Sequence, residues 1–257
     1  MAKNPIQQRK QDHLMIIIEK EVAYERGTLL DDVQLIPNAL PELALDEIDT
    51  SCEFFGKPLS APLMITSMTG GGDRSGRMNH ELAEGAGRLG IAFSVGSQRV
   101  LLEHPDCLPD FAVRKELGDG VLLGNIGAQQ LTQYPPERIA ALVEMIEADG
   151  MCVHLNPAHE LAQAAGDRDF SGQLKAIAAL VKQLDGRVLV KETGCGIAPR
   201  VAKRLSDVGV RYIDVAGSGG TSWPKVERHR KGKLLSKAIA WTFGEWGMPT
   251  RAHRRRM

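Results

Sequence analysis

The feature that most constrains the fold is a repeated alternation of short apolar segments and helical patterns from residue 61 onward. Six apolar segments are typical of strands: Pro62–Thr66, Ile91–Val95, Val121–Asn125, Met151–Asn156, Val188–Lys191 and Tyr212–Ala216. Helical patterns lie between them at Asn79–Arg88, Pro136–Ala148, Gly172–Gln183 and Ala198–Val208. Successive strands begin about 25–35 residues apart, which is the spacing of a βα repeat. Strands that are apolar along their whole length indicate a parallel sheet covered on both faces.

Polar and glycine-rich residues follow the carboxyl end of each predicted strand. They lie at residues 67–72, 96–99, 125, 156–160, 191–196 and 217–223. In a (β/α) barrel, all of these loops meet at one face, which is where barrel enzymes have their active sites. A doubly wound sheet would instead concentrate its glycine loop after one early strand. The sequence therefore predicts an α/β fold, a barrel of the TIM (β/α)8 type.

Only about six βα units can be counted in this barrel. One more helix is predicted from about Leu234 to Phe243, and no segment corresponds to the last two units of eight. Residues 1–60 are predicted to be an N-terminal extension of loop, short helix and strand, with the strand at Ile48–Phe55. Residues 61–250 form the incomplete barrel, in which 127–135 is predicted to be a turn. Residues 251–257 are a basic segment that is either a natural tail or a frameshifted or truncated end.

Composition excludes several classes of function. The chain has 257 residues, and Lys+Arg and Asp+Glu are balanced at 32 each, which argues against general nucleic-acid binding. The four cysteines are scattered without CxxC spacing, which favours free thiols in a reducing compartment. The N-terminus is polar and no apolar run reaches membrane length, so neither export nor membrane insertion is indicated. We expect a cytoplasmic protein with a small-molecule partner, and neither nucleic acid nor membrane.

The segment Met151–Glu160 carries the first candidate site. Residues two apart in a strand share a face, so His154 and Asn156 point the same way, at a strand end set by Pro157. Glu160 follows in the next helical run. A pair of polar residues on a buried strand face, followed by a carboxylate, is typical of a functional site. The alternative is a histidine satisfied within the core, beside a carboxylate that stabilises a helix N-terminus.

Three further segments bear candidate ligand-binding groups. The loop that leaves the sixth strand at Asp214 has three glycines, which let backbone N–H groups approach a phosphate or a flat ring; a flexible turn is the alternative. Lys191 closes a buried strand and should meet an anion or an electron-rich ligand, unless it pairs with Glu192 or Asp214. Ser97-Gln-Arg99 places a guanidinium beside hydroxyl and amide groups, which suits a diphosphate.

Together these segments resemble the flavin-dependent, type 2 isopentenyl-diphosphate isomerases over residues 5 to about 250. The matching motifs are Arg9-Lys10-Gln-Asp-His13, Met64-Ile-Thr-Ser-Met-Thr-Gly-Gly71, Ser94-Val-Gly-Ser-Gln-Arg99, Gly124-Asn125, His154-Leu-Asn-Pro, Val190-Lys-Glu-Thr-Gly-Cys-Gly-Ile197 and Asp214-Val-Ala-Gly-Ser-Gly-Gly-Thr-Ser-Trp223. Several long motifs in the right order are far more specific than a single glycine loop.

The resemblance implies an enzyme that uses FMN, NADPH and Mg²⁺ to interconvert isopentenyl and dimethylallyl diphosphate. The implied FMN-binding residues are Thr66, Ser67, Met68, Thr69, Ser97, Asn125, Lys191 and Thr221. The implied substrate-binding residues are Arg9, Lys10, Ser97, Gln98, Arg99 and His159. The implied catalytic residues are His154, Asn156 and His159. Glu160 is the implied Mg²⁺ ligand, since a hard cation prefers carboxylate oxygen.

The chain departs from the family's pattern in two places. His159 stands where the family has glutamine, and histidine titrates near neutrality and can bind a metal. The family also continues into two more barrel units, whose glycine loops hold the FMN phosphate. An open barrel exposes two strand edges, so we expect a homo-oligomer. A catalytically inactive remnant is the main alternative, and an FMN-dependent 2-hydroxy-acid oxidoreductase is a weaker one.

Overall fold

The computed structural model describes residues 5–68, 73–230 and 234–251. Within these ranges there are eight strands: β1 Cys52–Phe54, β2 Lys57–Leu59, β3 Met64–Ile65, β4 Ala92–Ser94, β5 Leu122–Gly127, β6 Gly150–Leu155, β7 Val188–Glu192 and β8 Tyr212–Asp214. The helices are α1 Pro5–Glu19, α2 Asp73–Leu89, α3 Arg114–Leu117, α4 Ala128–Gln133, α5 Pro136–Met145, α6 Pro157–Ala162, α7 Gln173–Gln183, α8 Pro199–Asp207, α9 Trp223–Arg228 and α10 Leu234–Thr242. No helix in these described ranges is long and apolar enough to cross a membrane.

The six strands β3 to β8 form one parallel sheet whose spatial order is the order of the chain. Helices follow the strands on the outside, as in a (β/α) barrel. The fold is therefore an incomplete TIM-type barrel of six βα units, and the prediction of fold class is confirmed. The edges of this sheet are β3 and β8. Homo-oligomerisation, the domain limits and the nature of the basic segment stay predictions; residues 252–257 lie outside the described ranges.

Alternate residues of each strand enter two different cores, because successive side chains point to opposite faces. One set packs between the sheet and the helices; Leu122, Met151 and Val153 are examples. The other set faces the barrel interior, where Leu123, Cys152 and Leu189 form a smaller cluster. The inner cluster lies toward the amino ends of the strands. The carboxyl ends are left for polar side chains.

An antiparallel hairpin of β1 and β2 closes the lower end of the barrel interior. Phe55 stacks on Tyr212 of β8 with ring centroids 4.3 Å apart, and Phe54 meets both rings edge-on. Gly150 at the start of β6 permits this packing, because a Cβ there would collide with the Phe55 ring. The strand predicted at Ile48–Phe55 is thus confirmed, as half of this hairpin.

The N-terminal extension is more regular than predicted. Its helix α1 has 15 residues, where only a short helix was expected. After α1, the chain is fastened to the loop that follows β8: Ala23 bridges Thr221, and Ser222 N donates to Val22 O at 2.8 Å. These tertiary contacts, which no local pattern reports, hold α1 over the carboxyl ends of the strands.

All six predicted strands and the five predicted helices are confirmed, with ends shifted by a few residues. The prediction of a turn at 127–135 was wrong, because this segment contains α4. Residues 223–228, for which no element was predicted, form α9. Ser222 caps α9 by accepting the N–H of Lys225, and Pro224 occupies the first turn, where a missing N–H has no cost.

Candidate active site

A cavity of about 620 Å³ opens at the carboxyl ends of the strands, beneath α1. The floor of this cavity is a layer of polar side chains. On each of four strands, the polar residue lies two positions after a residue of the inner apolar cluster. Thus Asn125 follows Leu123, His154 follows Cys152, and Lys191 follows Leu189. On β8, Asp214 follows Tyr212 in the same way and is the register partner of Lys191. The strand period alone therefore converts an apolar core into a polar floor.

His154 is fixed in one orientation by Asn125. Its Nδ1 lies 2.8 Å from Asn125 Oδ1. The amide oxygen can only accept, so Nδ1 carries the proton and Nε2 is left with a lone pair. Burial, and then the charge of Lys191, lower the pKa of His154 to about 3. The imidazole is consequently neutral, and it can position a ligand without contributing charge.

Lys191 brings a buried positive charge to the floor. It is 7% exposed, and its Nζ donates to the backbone carbonyl of Glu192. Glu192 turns its own carboxylate away, where it accepts the backbone N–H groups of Thr193, Gly194 and Cys195. In the ranges that the structure describes, Lys191 therefore forms no salt bridge, and neither of the pairings considered from the sequence is made. A buried ammonium in this position suits an anionic or electron-rich ligand.

Three basic side chains form a cationic wall: Arg9 and Lys10 of α1, and Arg99 of the loop after β4. Arg9 Nη1 donates to Gln163 Oε1 at 2.8 Å, and Lys10 Nζ donates to the Ser97 carbonyl at 3.1 Å. Burial and the adjacent charge of Arg9 lower the pKa of Lys10 to about 7. Concentrated positive charge with forked guanidinium donors is suited to phosphate groups.

Glu160 supplies a carboxylate to the same wall. Its Oε1 accepts Asn156 Nδ2 at 2.8 Å, and its Oε2 accepts the backbone N–H of Asp167 at 3.0 Å. These bonds fix the carboxylate, and Glu160 forms no salt bridge with the residues that the structure describes. It is an oxygen ligand held in place beside a phosphate-binding surface.

A second carboxylate, Glu227 of α9, joins two histidines. Its Oε1 lies 2.8 Å from His13 Nε2 and 3.1 Å from His159 Nε2. Burial by itself raises the pKa of Glu227, but the hydrogen bonds from His13 and His159 prevail and lower it. The His159 ring also stacks on Trp223, with centroids 5.1 Å apart. One wall of the cavity is therefore built of imidazole and indole.

The glycines in the loop after β8 can be explained by packing as well as by ligand binding. A Cβ at Gly217 would meet Thr250 Cα at 2.6 Å, and one at Gly219 would collide with the backbone of Thr28. Gly219 also has φ of +136°, which disfavours other residues. A Cβ at Gly220, by contrast, would meet nothing within 4 Å. At least two of the three glycines are explained by the chain's own packing.

Comparison with known proteins decides the family. The chain is 46% identical to the isopentenyl-diphosphate delta-isomerase of Rickettsia felis over 244 residues, which are 95% of this chain and 71% of that protein. The chain belongs to the isopentenyl-diphosphate delta-isomerase family. The isomerase of Stutzerimonas stutzeri is 47% identical over 253 residues, or 97% of this chain and 73% of that protein. The isopentenyl-diphosphate isomerase family predicted from the motifs is confirmed, and the protein is an enzyme.

Other comparisons add nothing to this assignment. No family model matches the chain. Among solved structures, the carboxyl transferase domain of Rhizobium etli pyruvate carboxylase covers 76% of the chain, and the chain covers 37% of it, at 13% identity and a TM-score of 0.38. A mandelate oxidase covers 85% of the chain, and the chain covers 81% of it, at 15% identity and a TM-score of 0.29. Similarities this low carry no argument.

For a member of this isomerase family, the cavity collects most of the predicted site. Fourteen predicted residues line it: Arg9, Lys10, Thr66, Ser67, Met68, Ser97, Arg99, Asn125, His154, Asn156, His159, Glu160, Lys191 and Thr221. Gln98 does not: its side chain is fully buried, where Nε2 donates to Leu142 O and Oε1 accepts the N–H of Asn125. Thr69 lies outside the described residues.

Sequence reasoning about this isomerase missed Gln130 and Gln163, which line the cavity, and Glu227, which contacts the lining residues His13 and His159. The signal for Glu227 was present. Ser222 with a proline two residues later predicts a helix start, and a glutamate in that helix would then lie near Trp223. For the two glutamines, which sit in or after short helices, the sequence carried no comparable pattern.

Proposed function

We propose that this protein converts isopentenyl diphosphate to dimethylallyl diphosphate as a type 2 enzyme, using reduced FMN and Mg²⁺. The observation that carries the proposal is one cavity with two chemically distinct ends. Arg9, Lys10 and Arg99 form a cationic wall, and the buried ammonium of Lys191 lies on the floor. One end suits a diphosphate and the other an electron-rich ring. The names of the relatives support the same substrate.

The residues of the floor fit FMN. Lys191 is a buried cation with no carboxylate partner among the described residues, and an electron-rich heterocycle would compensate it. Thr66, Ser67, Asn125 and Thr221 would add hydroxyl and amide groups around the ring. Reduced flavin, formed with NADPH, would supply an electron-rich ring and a transferable proton at the alkene, with no net redox change.

The donor set around Glu160 fits Mg²⁺. This ion prefers oxygen ligands, keeps several waters, and is commonly held by one carboxylate together with substrate phosphates. Glu160 provides that carboxylate, held by Asn156 and by the Asp167 N–H. In this arrangement Glu160 would hold Mg²⁺, and the ion would neutralise diphosphate charge that the basic wall leaves uncompensated.

The protein's own residues then have separate tasks. Arg9, Lys10, Ser97 and Arg99 bind the diphosphate and orient the prenyl chain toward the floor. His154, neutral and held by Asn125, presents its Nε2 as an acceptor without adding charge near a developing cation. The rings of Trp223 and His159 form a wall that excludes water from the alkene. The reaction adds a proton at one carbon and removes another two carbons away, so a dry and oriented site favours it.

The proposal is tested by an anaerobic conversion assay. The purified chain is incubated with isopentenyl diphosphate, FMN, NADPH and Mg²⁺, and dimethylallyl diphosphate is quantified. We expect product with the complete mixture, and loss of product when FMN or Mg²⁺ is omitted. No product from a folded chain under saturating cofactors would overturn the proposed activity and favour a non-catalytic remnant. Product without FMN would overturn the assigned cofactor.

A further inference from the structure

One side-chain cluster at the rim of the cavity offers metal-ligand atoms that the proposed reaction does not use, although the His159 ring also forms part of the cavity wall. His13, His159 and Glu227 each offer a ligand atom, and these atoms lie within 4.8 Å of one another. Among the residues that the structure describes, this is the only group of three or more His, Cys, Asp or Glu side chains arranged in this way. The three residues come from α1, α6 and α9, so the cluster joins three elements that are distant in sequence.

Both imidazoles converge on a single oxygen. Glu227 Oε1 lies 2.8 Å from His13 Nε2 and 3.1 Å from His159 Nε2. The other oxygen, Oε2, is held by Arg230 Nη1 at 2.9 Å, which fixes the plane of the carboxylate. The side chain of Glu227 is 2% exposed, and those of the two histidines are 12% exposed. A second partner that orients a ligating carboxylate in this way is typical of metal sites.

We propose that His13, His159 and Glu227 form a binding site for a borderline-soft divalent cation such as Zn²⁺. Two imidazole nitrogens and one carboxylate oxygen are a donor set that zinc takes in enzymes, with a fourth position left for water or another ligand. The site is separate from Glu160, whose surroundings offer oxygen donors and suit Mg²⁺. It is independent of the proposed isomerase reaction, because it requires neither FMN nor substrate.

Binding needs only a modest rearrangement. In the metal-free cluster, both Nε2 atoms point at the carboxylate, as donors of hydrogen bonds. On binding, each ring would offer the Nε2 lone pair to the ion and keep its remaining proton on Nδ1. The ligand atoms would separate slightly to admit bonds of about 2.0–2.1 Å. Arg230 would stay on Oε2, and Oε1 would become the ligand atom.

Occupation of this site has a structural consequence. His13 is on α1, the helix that also brings Arg9 and Lys10 to the cavity, whereas His159 and Glu227 belong to the barrel. A bound ion would therefore fasten α1 over the carboxyl ends of the strands.

The test is a titration of the purified chain, free of Mg²⁺, with Co²⁺ as a spectroscopic probe and Zn²⁺ as a competitor. We expect one Co²⁺ per chain, with a visible absorption band that Zn²⁺ abolishes. His13→Gln and His159→Gln should each weaken Co²⁺ binding by at least about tenfold. Glu160→Gln and His80→Gln are matched controls that remove a carboxylate or an imidazole outside the cluster. Their Co²⁺ affinity should equal that of the unmodified chain.

A second measurement, protection from trypsin, reports whether a bound ion fastens α1 to the barrel. Zn²⁺ should slow tryptic cleavage after Lys20, which is exposed at the end of α1, in the unmodified chain but not in His159→Gln. Circular dichroism establishes whether each variant is folded. If His159→Gln is unfolded, His13→Gln takes its place in the proteolysis experiment. Unchanged Co²⁺ affinity in a folded His13→Gln or His159→Gln would overturn the proposal. So would an equal loss of affinity in Glu160→Gln, which would assign the ion to the Mg²⁺ site.

Discussion

His154 and Lys191 are direct partners in the register of two neighbouring parallel strands, β6 and β7. Both side chains belong to the layer that faces the barrel interior, so a neutral imidazole and a charged ammonium lie side by side on the cavity floor. The positive charge disfavours protonation of its neighbour. This pair shows how strand register, rather than closeness in sequence, sets the chemistry of the site.

Replacing Lys191 with methionine should raise the pKa of His154. The pKa would remain below the ordinary value, because burial is the larger cause of its lowering and is unchanged by the substitution. An NMR titration of the His154 ring protons measures this directly, with Lys203→Met on the surface of α8 as control. A His154 pKa that is identical with and without Lys191 would contradict the electrostatic coupling.

Binding of inorganic pyrophosphate at about pH 8 should be accompanied by proton uptake at Lys10. Its pKa in the empty site is about 7, so above that pH the amine is mostly neutral. A bound diphosphate favours the ammonium form and raises the pKa. Affinity for pyrophosphate should therefore fall as the pH rises from about 7 toward the pKa of the complex.

Calorimetry in two buffers of different ionisation enthalpy detects this proton uptake. Lys10→Arg is the matched control, because arginine stays charged and takes up no proton. The difference in binding heat between buffers should shrink in Lys10→Arg. Equal differences in the unmodified chain and in Lys10→Arg would show that Lys10 is already charged in the empty site.

Glu160→Gln should abolish the Mg²⁺ dependence of turnover and lower the rate at least about 100-fold, because a neutral amide is a poor ligand for a hard cation. Turnover is measured over a range of Mg²⁺ concentrations. Glu84→Gln, at an exposed position of α2, removes the same charge far from the cavity and should leave the dependence unchanged. Full Mg²⁺-dependent turnover in Glu160→Gln would reject this ligand.

Gly150→Ala should lower the free energy of unfolding by about 1–3 kcal/mol, the usual cost of overpacking. A Cβ at residue 150 would collide with the Phe55 ring and would lie 2.7 Å from the Arg187 carbonyl. Gly85→Ala is the matched control, since a Cβ there meets nothing within 4 Å and alanine favours the helix by up to about 1 kcal/mol. Urea denaturation followed by circular dichroism compares the two. Equal stability of both variants would argue against the closure of the barrel by the hairpin.

Much of the barrel could be predicted because its strands are short, apolar and regularly spaced. Val188–Lys191 was recognised from four residues, and it lies within β7. Short helices were harder to predict. The segments that became α4 and α9 have too few residues to show a helical period, and their stability comes from packing against neighbouring elements. The length of α1 likewise depends on tertiary contacts.

The candidate site was predicted less completely, since a local sequence pattern does not show which side chains will contact one another in the fold. Gln98 lies within a matching motif, yet its amide turns inward to Leu142 and Asn125. His13 lies within a matching motif but had no predicted role, and it contacts buried Glu227, which is 214 positions away. The glycines of the β8 loop suggested a ligand, and two of them also accommodate the chain's own segments at Thr28 and Thr250.

The measurement that tests the central claim most directly is an FMN titration of the purified chain, followed by quenching of flavin fluorescence. The account predicts one FMN per chain. It also predicts an affinity about 10–100-fold lower in Lys191→Met, as expected for loss of a charge-assisted hydrogen bond, and unchanged in Lys203→Met. Absence of binding to a folded chain, or equal affinity in Lys191→Met, would contradict the assignment of this cavity as a flavin-dependent isomerase site.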